Sequence, residues 1–332
     1  GLDQSVLDAA QRAAHYCKND LVSQMVGEFP ELQGLMGGKY LLEEGESRDV
    51  AIAVVEHYLP RGAGDDLPAT PAGAVVAVAE RLELLLSIFA KGERPTGSSD
   101  PYALRRAGNG VVQILWGMGW RLDLMDFLSN AVTKWAALFP AFGVDAGQLH
   151  NDLCQLMRQR IVSQLEDDGF APDLVQAVAG DAVANQRLLS DPLDVKKRIQ
   201  LLRDLRDNGQ LDAVQAVVQR AAKLAEKGDL ARDQLVAGDV VQPERFESAS
   251  EKDLFAALEQ LQPLAQQRSY QALTDELVAA TPALQAFFDG DTSVMVMVDD
   301  PALRLNRLNL LAVLRNQASV LAEFESIQKP EG

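Results

Sequence analysis

The chain has 332 residues, 47% of them apolar, and its 31 Lys and Arg against 48 Asp and Glu give a net charge of −17. That length and apolar share support two or three helical units with a sizeable core and exclude a disordered chain. The acidic balance excludes a protein that coats nucleic acid through bulk charge, and no run of 18 apolar residues exists to span a membrane.

Helical periodicity runs through nearly every segment, so an all-α fold is expected. Ala, Leu, Gln, Glu and Arg, all good helix formers, fill the periodic stretches. In chain order, helices are expected over roughly 3–25, 46–58, 72–90, 101–118, 124–137, 146–167, 173–186, 193–207, 210–227, 251–260, 263–279 and 301–325. GLMGG at 34–38 reads as a turn between helices, and PRGAGDD at 60–66 and KGERPTGSSDP at 91–101 as loops. Asp100-Pro101 and Asp300-Pro301 each read as an N-cap followed by proline at the first helical position. SVMVMV at 293–298 is the one β-like stretch and is too short to anchor a sheet. No fixed-period repeat marks a solenoid. Soft boundaries near 140 and 192 divide the chain into 1–140, 141–192 and 193–332.

Catalytic signatures are missing. There is no G-x-S-x-G, no Walker pattern and no G-x-G-x-x-G. Cys17 and Cys154 cannot build a disulfide framework or a cysteine zinc site. Of the three histidines, His15 is expected partly buried on its helix, His57 as a packing or capping residue at a helix end, and His150 on the surface. The polar, helical start shows no signal peptide, which points to the cytoplasm. Opening on Gly1 without methionine, the sequence reads as a piece of a longer or processed chain.

KNDLVSQMVGEFPELQGLMGGKY at 18–40, EHYLP at 56–60, LPATPAG at 67–73 and PTGSSDPYALRRAGNGVVQIL at 95–115 resemble the HD-type domain of the bacterial glycyl-tRNA synthetase beta subunit. HD phosphohydrolases hold a divalent metal on spaced His and Asp residues that include an adjacent His-Asp pair. Here the pair position reads Asn19-Asp20, and an Asn amide is a poor substitute for imidazole. His57 stands alone, and Glu80 and Glu83 stand where the beta-subunit pattern has Asp. The resemblance therefore implies an HD-like helical domain without its metal-ligand set. LHNDLCQLMRQRIVSQLEDDGFAPDLVQAV at 149–178 is similar, in looser words, to the helical body of the same subunit. VKKRIQLLRDL at 195–205, AVVQRAAKLAEK at 216–227 and FFDGDTSVMVMVDDPALRLNRLNLLAVL at 287–314 resemble its C-terminal anticodon-binding domain. That domain belongs to a helical group named for an Asp-Ala-Leu-Arg signature, interrupted here as Asp300, Pro301, Ala302, Leu303 and Arg304.

In that family the alpha subunit carries the class II chemistry with ATP and magnesium, and the beta subunit handles tRNA. The resemblance thus implies a tRNA-recognition part supporting glycine attachment, with no catalytic residue, metal or cofactor in this stretch. The implied partners are glycine tRNA and the alpha subunit in a heterotetramer, with no DNA and no membrane. Two other readings stand beside it: a helical scaffold that only docks the alpha subunit, and an HD-type metal phosphohydrolase.

Candidate RNA contacts come from charge and helix face. On 210–227, Leu211, Val214, Val217, Val218, Ala221 and Leu224 share one side, with Arg220, Lys223 and Lys227 roughly opposite. On 301–316, leucines surround the helix and Arg304, Arg307 and Arg315 share one edge, so the helix is expected mostly buried. Lys196, Lys197, Arg198, Arg203 and Arg206 form a third basic cluster. RNA contact is expected at Arg105, Arg106, Arg158, Lys196, Lys197, Arg220, Lys223, Lys227, Arg304 and Arg307. The competing role is ion pairing: Arg105 and Arg106 with local carboxylates, and Arg304 with Asp300 four residues before it. Phe246, Phe287 and Phe288 are stacking candidates or core.

Overall fold

The computed structural model describes residues 1–97 and 99–328. Ser98, inside the expected loop 91–101, and residues 329–332 lie outside the described residues. Among those described, every regular element is helical, as the periodicity indicates: α1 (Gln4–Tyr16), α2 (Gln24–Glu28), α3 (Leu35–Glu43), α4 (Arg48–Glu56), α5 (Pro71–Ala90), α6 (Leu104–Gly117), α7 (Leu124–Leu138), α8 (Ala146–Asp167), α9 (Pro172–Ala179), α10 (Asn185–Leu189), α11 (Pro192–Asp207), α12 (Leu211–Ala225), α13 (Ala249–Gln266), α14 (Tyr270–Phe288) and α15 (Pro301–Ser319). The β-type pairing among these residues is one isolated bridge, Thr96 to Ser99, and 293–298 forms no strand. No described helix is long and apolar enough to cross a membrane.

The chain divides into two compact units. The first holds Gly1–Asp167 and Asn185–Leu193; the second holds Asp168–Ala184 and Asp194–Gly332. The stretch 141–192 is thus shared: α8 packs on α6 and α7 in unit 1, whereas α9 packs on the 3-10 turn Phe324–Ser326 in unit 2.

Unit 1 is built on small residues. Ala9, Ala10 and Ala13 of α1 meet Val50, Ala53 and Val54 of α4 and Ala72 and Val76 of α5. The expected helix 3–25 is broken after Tyr16, because Lys18 takes a left-handed φ of 72° and a 3-10 turn follows at Asn19–Val22. The break turns the buried Asp20 carboxylate inward, where one oxygen accepts the N–H of Gly34 at 2.7 Å and of Gly37 at 3.0 Å. Two orphan donors at the start of α3 are satisfied in this way. The 34–38 run is therefore only in part the expected turn. Gly34 has a φ of 78°, but Gly37 and Gly38 lie inside α3. Tertiary packing asks for them: a Cβ at Gly38 would stand 2.8 Å from the Ala51 carbonyl oxygen and 2.6 Å from a Val55 methyl on α4.

Helix α6 starts three residues later than the Asp-Pro signature suggests. Ala103 is left-handed, and the Asp100 carboxylate reaches forward to the N–H groups of Leu104 at 2.7 Å and Arg105 at 3.0 Å. At α15 the signature holds, with Pro301 at the first position and Asp300 accepting the N–H of Ala302 and Leu303. Helix α13 runs through Pro263, where sequence punctuation suggests a break.

In unit 2, α12, α13, α14 and α15 pack on one another. Helix α15 is buried along most of its length, as its all-round leucines require. Its buried amides hold the irregular segment between α12 and α13. Asn306 pairs with the N–H and carbonyl of Gln242, Asn316 donates to the Ala231 and Gln234 carbonyls, and Gln317 donates to those of Leu235 and Leu258. Buried backbone groups of the irregular segment are satisfied from the side, and Gln317 ties that segment to α13 through the Leu258 carbonyl.

Candidate nucleic-acid interface

In unit 1, Arg105 is half-buried at the start of α6 and donates to the Gly97 carbonyl at 2.7 Å, so its partner is a backbone oxygen. Arg106 beside it is exposed. Arg158 on α8 donates to Asn185 Oδ1 at 2.7 Å.

In unit 2, the basic cluster expected on α11 does not form one surface. Arg198 is 1% exposed, pairs with Asp194 at 2.9 Å and donates to the Leu321 carbonyl at 3.0 Å. Arg206 makes two bonds to the Asp173 carboxylate, at 3.0 and 2.6 Å. Arg203 lies over the Phe170 ring at 4.3 Å. Lys196 pairs with Asp168 at 2.9 Å, and Lys197 is exposed. The residues are spread around the helix, and the inward ones answer carboxylates already present in the unit.

The two-sided reading of α12 is met. Leu211, Val214, Val217, Val218 and Ala221 are buried, Leu224 is only half-buried, and Arg220, Lys223 and Lys227 are exposed. Arg220 bonds to Asp289 at 2.8 Å and stacks on Phe288 at 4.6 Å from the ring centre. Phe287 and Phe288 are core residues, and Phe246 packs on Phe255 with ring centres 5.7 Å apart. These three rings are thus engaged inside unit 2.

Arg304 and Arg307 part company. Arg307 is 4% exposed and donates to Glu251 at 2.8 Å, Glu247 at 2.9 Å and the Met295 carbonyl at 3.0 Å. With its nitrogens turned to internal acceptors, it is not placed to meet a phosphate, which corrects the expectation for it. Arg304 is half-buried and donates to the Val298 carbonyl at 3.0 Å. The expected Arg304–Asp300 pair is replaced, because the Asp300 carboxylate is occupied as the cap of α15. Hydrogen bonds from Leu303 and Ala302 N–H hold the Asp300 carboxyl below its usual range.

Lys227 and Arg304 come together. With Gly228, Asp229, Pro301, Leu305 and Leu308 they line an open cleft of about 440 Å³. It lies where the end of α12 meets the start of α15, so residues far apart in sequence share one site. Its volume falls within the range of about 300–1,000 Å³ typical of small-ligand sites. Pro301, Leu305 and Leu308 give an apolar wall; Lys227 and Arg304 give cationic donors. Sequence reasoning named both cations but not Asp229 or the leucine wall. The i, i+4 spacing of Leu305 to Pro301 was the available signal.

The histidines follow their packing. His57 is fully buried at the end of α4, as expected. His15 is exposed, edge-on to Tyr16, which corrects its expected burial; the alanines of α1, not the histidine, face the core. His150 is half-buried, its Nε2 3.1 Å from the Met125 carbonyl.

The HD-type resemblance raises the question of a divalent metal. Among the described residues, no three His, Cys, Asp or Glu side chains come together as a ligand set. Glu83 faces solvent and bonds to Ser87 at 2.5 Å, and one Asp20 oxygen is committed to two amides. These residues do not fit a metal ion.

Comparison with known proteins agrees with the resemblance to the glycyl-tRNA synthetase beta subunit. The family described as Glycyl-tRNA synthetase beta subunit matches residues 2–180. The chain is 47% identical over 334 residues to the glycine–tRNA ligase beta subunit of Acaryochloris marina, covering 99% of this chain and 46% of that protein. It is 47% identical over 335 residues to that of Picosynechococcus, with 99% and 46% covered, and 37% identical over 329 residues to that of Delftia acidovorans, with 98% and 44% covered. The chain thus spans about half the length of the curated relatives it matches. With more than half of its residues matched by the family, the chain belongs to the glycyl-tRNA synthetase beta subunit family.

Proposed function

We propose that this chain recognises glycine tRNA in support of glycine–tRNA ligation, and that the Lys227–Arg304 cleft of unit 2 holds part of the RNA. The carrying observation is that two cations chosen from sequence meet at one cleft with an apolar wall. A phosphate is drawn to the Lys227 ammonium and the outer guanidinium edge of Arg304. An unstacked base lies against Pro301, Leu305 and Leu308, and Asp229 is placed to accept from an exocyclic amino group. Lys223 and Arg220, one and two turns back along α12, extend the cationic track. Adenylate chemistry, with ATP and magnesium, belongs in this reading to the alpha subunit of a cytoplasmic heterotetramer.

The test is binding of the chain to glycine tRNA and to a non-cognate tRNA across a salt series. A cognate preference is expected. Lys227→Glu and Arg304→Glu are each expected to weaken binding and lower the salt slope by about 1. Unchanged affinity in both variants would overturn the reading.

A scaffold role has its own observation. Unit 1 exposes Leu21, Val22, Met25, Phe29 and Leu35 close together in sequence, Val22 at 92%. Exposed apolar residues in such number suit a protein partner, and the alpha subunit is the one this reading names. Loss of alpha-subunit binding in Val22→Asp, with tRNA affinity intact, would separate the two roles.

A further inference from the structure

Lys18 sits in unit 1 against Glu80 and Tyr58, and the charges of Lys18, Glu80 and Asp20 all act on His57; Asp20, His57 and Glu80 are the candidate ligands that the HD-type resemblance raises. The Lys18 ammonium stands 3.0 Å from Glu80 Oε1 and 4.7 Å from the centre of the Tyr58 ring. Tyr58 stacks on His57 with ring centres 3.9 Å apart. The same ring covers Gly34, where a Cβ would come within 2.7 Å of it, and the Gly34 N–H is bonded to Asp20. A continuous path of contacts therefore runs from Glu80 through Lys18, Tyr58 and Gly34 to Asp20.

This group of residues is built around a cation that the chain itself supplies. His57 Nδ1 lies 2.5 Å from the Val54 carbonyl and so carries the hydrogen, which leaves Nε2 buried without a partner. Asp20 Oδ1 is likewise buried and unpartnered. Two donor atoms are too few for a divalent ion, and the third candidate, the Glu80 carboxylate, is already paired with Lys18. An ammonium in that position also repels an incoming cation.

We infer that Lys18 is a resident cation of unit 1, balancing Glu80 where an HD-type domain would carry its metal. Its left-handed backbone is part of the device: the turn after α1 sets Lys18 against Glu80 of α5 and Tyr58, and Asp20 against the start of α3. Burial lowers the ammonium's pKa, but the hydrogen bond and charge of Glu80 outweigh this and raise it, so the cation is permanent at neutral pH.

The test uses the full chain. Trp116, Trp120 and Trp135 are its three tryptophans and all lie in unit 1, so tryptophan fluorescence follows the unfolding of that unit. The probe is Mn²⁺ alone, with a chelator as control. For the natural chain, the midpoint is expected to be the same with Mn²⁺ and with chelator. Lys18→Met and Glu80→Gln are each expected to lower it by about 2–4 °C, as a partly exposed pair should. The double variant is expected to fall by clearly less than the sum, because each single change already breaks the same pair. A midpoint raised by Mn²⁺ in the natural chain, or strictly additive variants, would overturn the inference. Should Lys18→Met fail to fold, Glu80→Gln with the Mn²⁺ titration still decides it: a metal-raised midpoint there too would assign the pocket to a metal.

Discussion

Arg307 of α15 and Glu251 of α13 meet at 2.8 Å inside unit 2, the glutamate wholly shut off from solvent. Glu251 also takes the N–H groups of Glu247 and Ser248 at 2.8 Å, so one carboxylate caps α13 and anchors α15. Burial by itself would raise its pKa. The bonds from Arg307, Ser248 and Glu247 outweigh burial and hold it below the usual glutamate range.

Removing one partner of such a pair leaves a buried charge without compensation. Arg307→Met is therefore expected to destabilise unit 2 by about 3–5 kcal/mol. Because the tryptophans report on unit 1, far-ultraviolet circular dichroism should show an early transition that tryptophan fluorescence does not.

The same carboxylate sets an acid limit on unit 2. A lowered folded pKa means that Glu251 contributes its full stabilisation above the ordinary glutamate value and loses it as pH falls through the lowered one. Urea midpoints of unit 2 should drop on acidification through that window, and Arg307→Met should flatten the drop.

His57 sets a different limit in unit 1. Burial lowers its pKa against the opposing bond to the Val54 carbonyl, so the native imidazole stays neutral while the unfolded one protonates near pH ~6.5. Protons bind the unfolded chain first, and stability falls with falling pH by up to about 1.4 kcal/mol per unit. His57→Phe should reduce that slope below about pH 6.5, as read from tryptophan-detected unfolding at several pH values.

Two glycines separate packing from propensity. Gly38→Ala forces a Cβ onto the α4 backbone at Ala51 and should cost about 1–3 kcal/mol. Gly27 in α2 has nothing within 4 Å of its Cβ position, so Gly27→Ala should be neutral or stabilising by up to about 1 kcal/mol. Tryptophan-detected denaturation of both variants checks the contrast.

Arg220 enters the RNA reading already engaged with Asp289. Asp289→Asn removes the competitor and one like charge from the RNA's path. Affinity for glycine tRNA at low salt should rise by about two- to fivefold, with the gain fading as salt is added.

Much of this protein was legible from residue order. The all-helical class, the Asp300-Pro301 start of α15, the buried and basic sides of α12 and the family all follow from local pattern or from shared words of sequence. Caps, periodicity and helix faces are properties of neighbours three or four residues apart, and such neighbours are fixed by the chain itself. The fate of each charge was not local. Arg307 and Lys227 read alike in sequence, yet one is sealed against Glu251 and the other lines an open cleft. Arg198 and Lys197 are adjacent, yet one is interior and the other is on the surface. The helical setting of Gly37 and Gly38, the inward turn of Asp20 and the meeting of Lys18 with Glu80 likewise depend on helices distant in sequence. Which cation meets solvent and which meets a buried carboxylate is decided by partners that only packing brings within 3 Å, because the cost of burying an unpaired charge is settled by those partners and not by the residue's own neighbours.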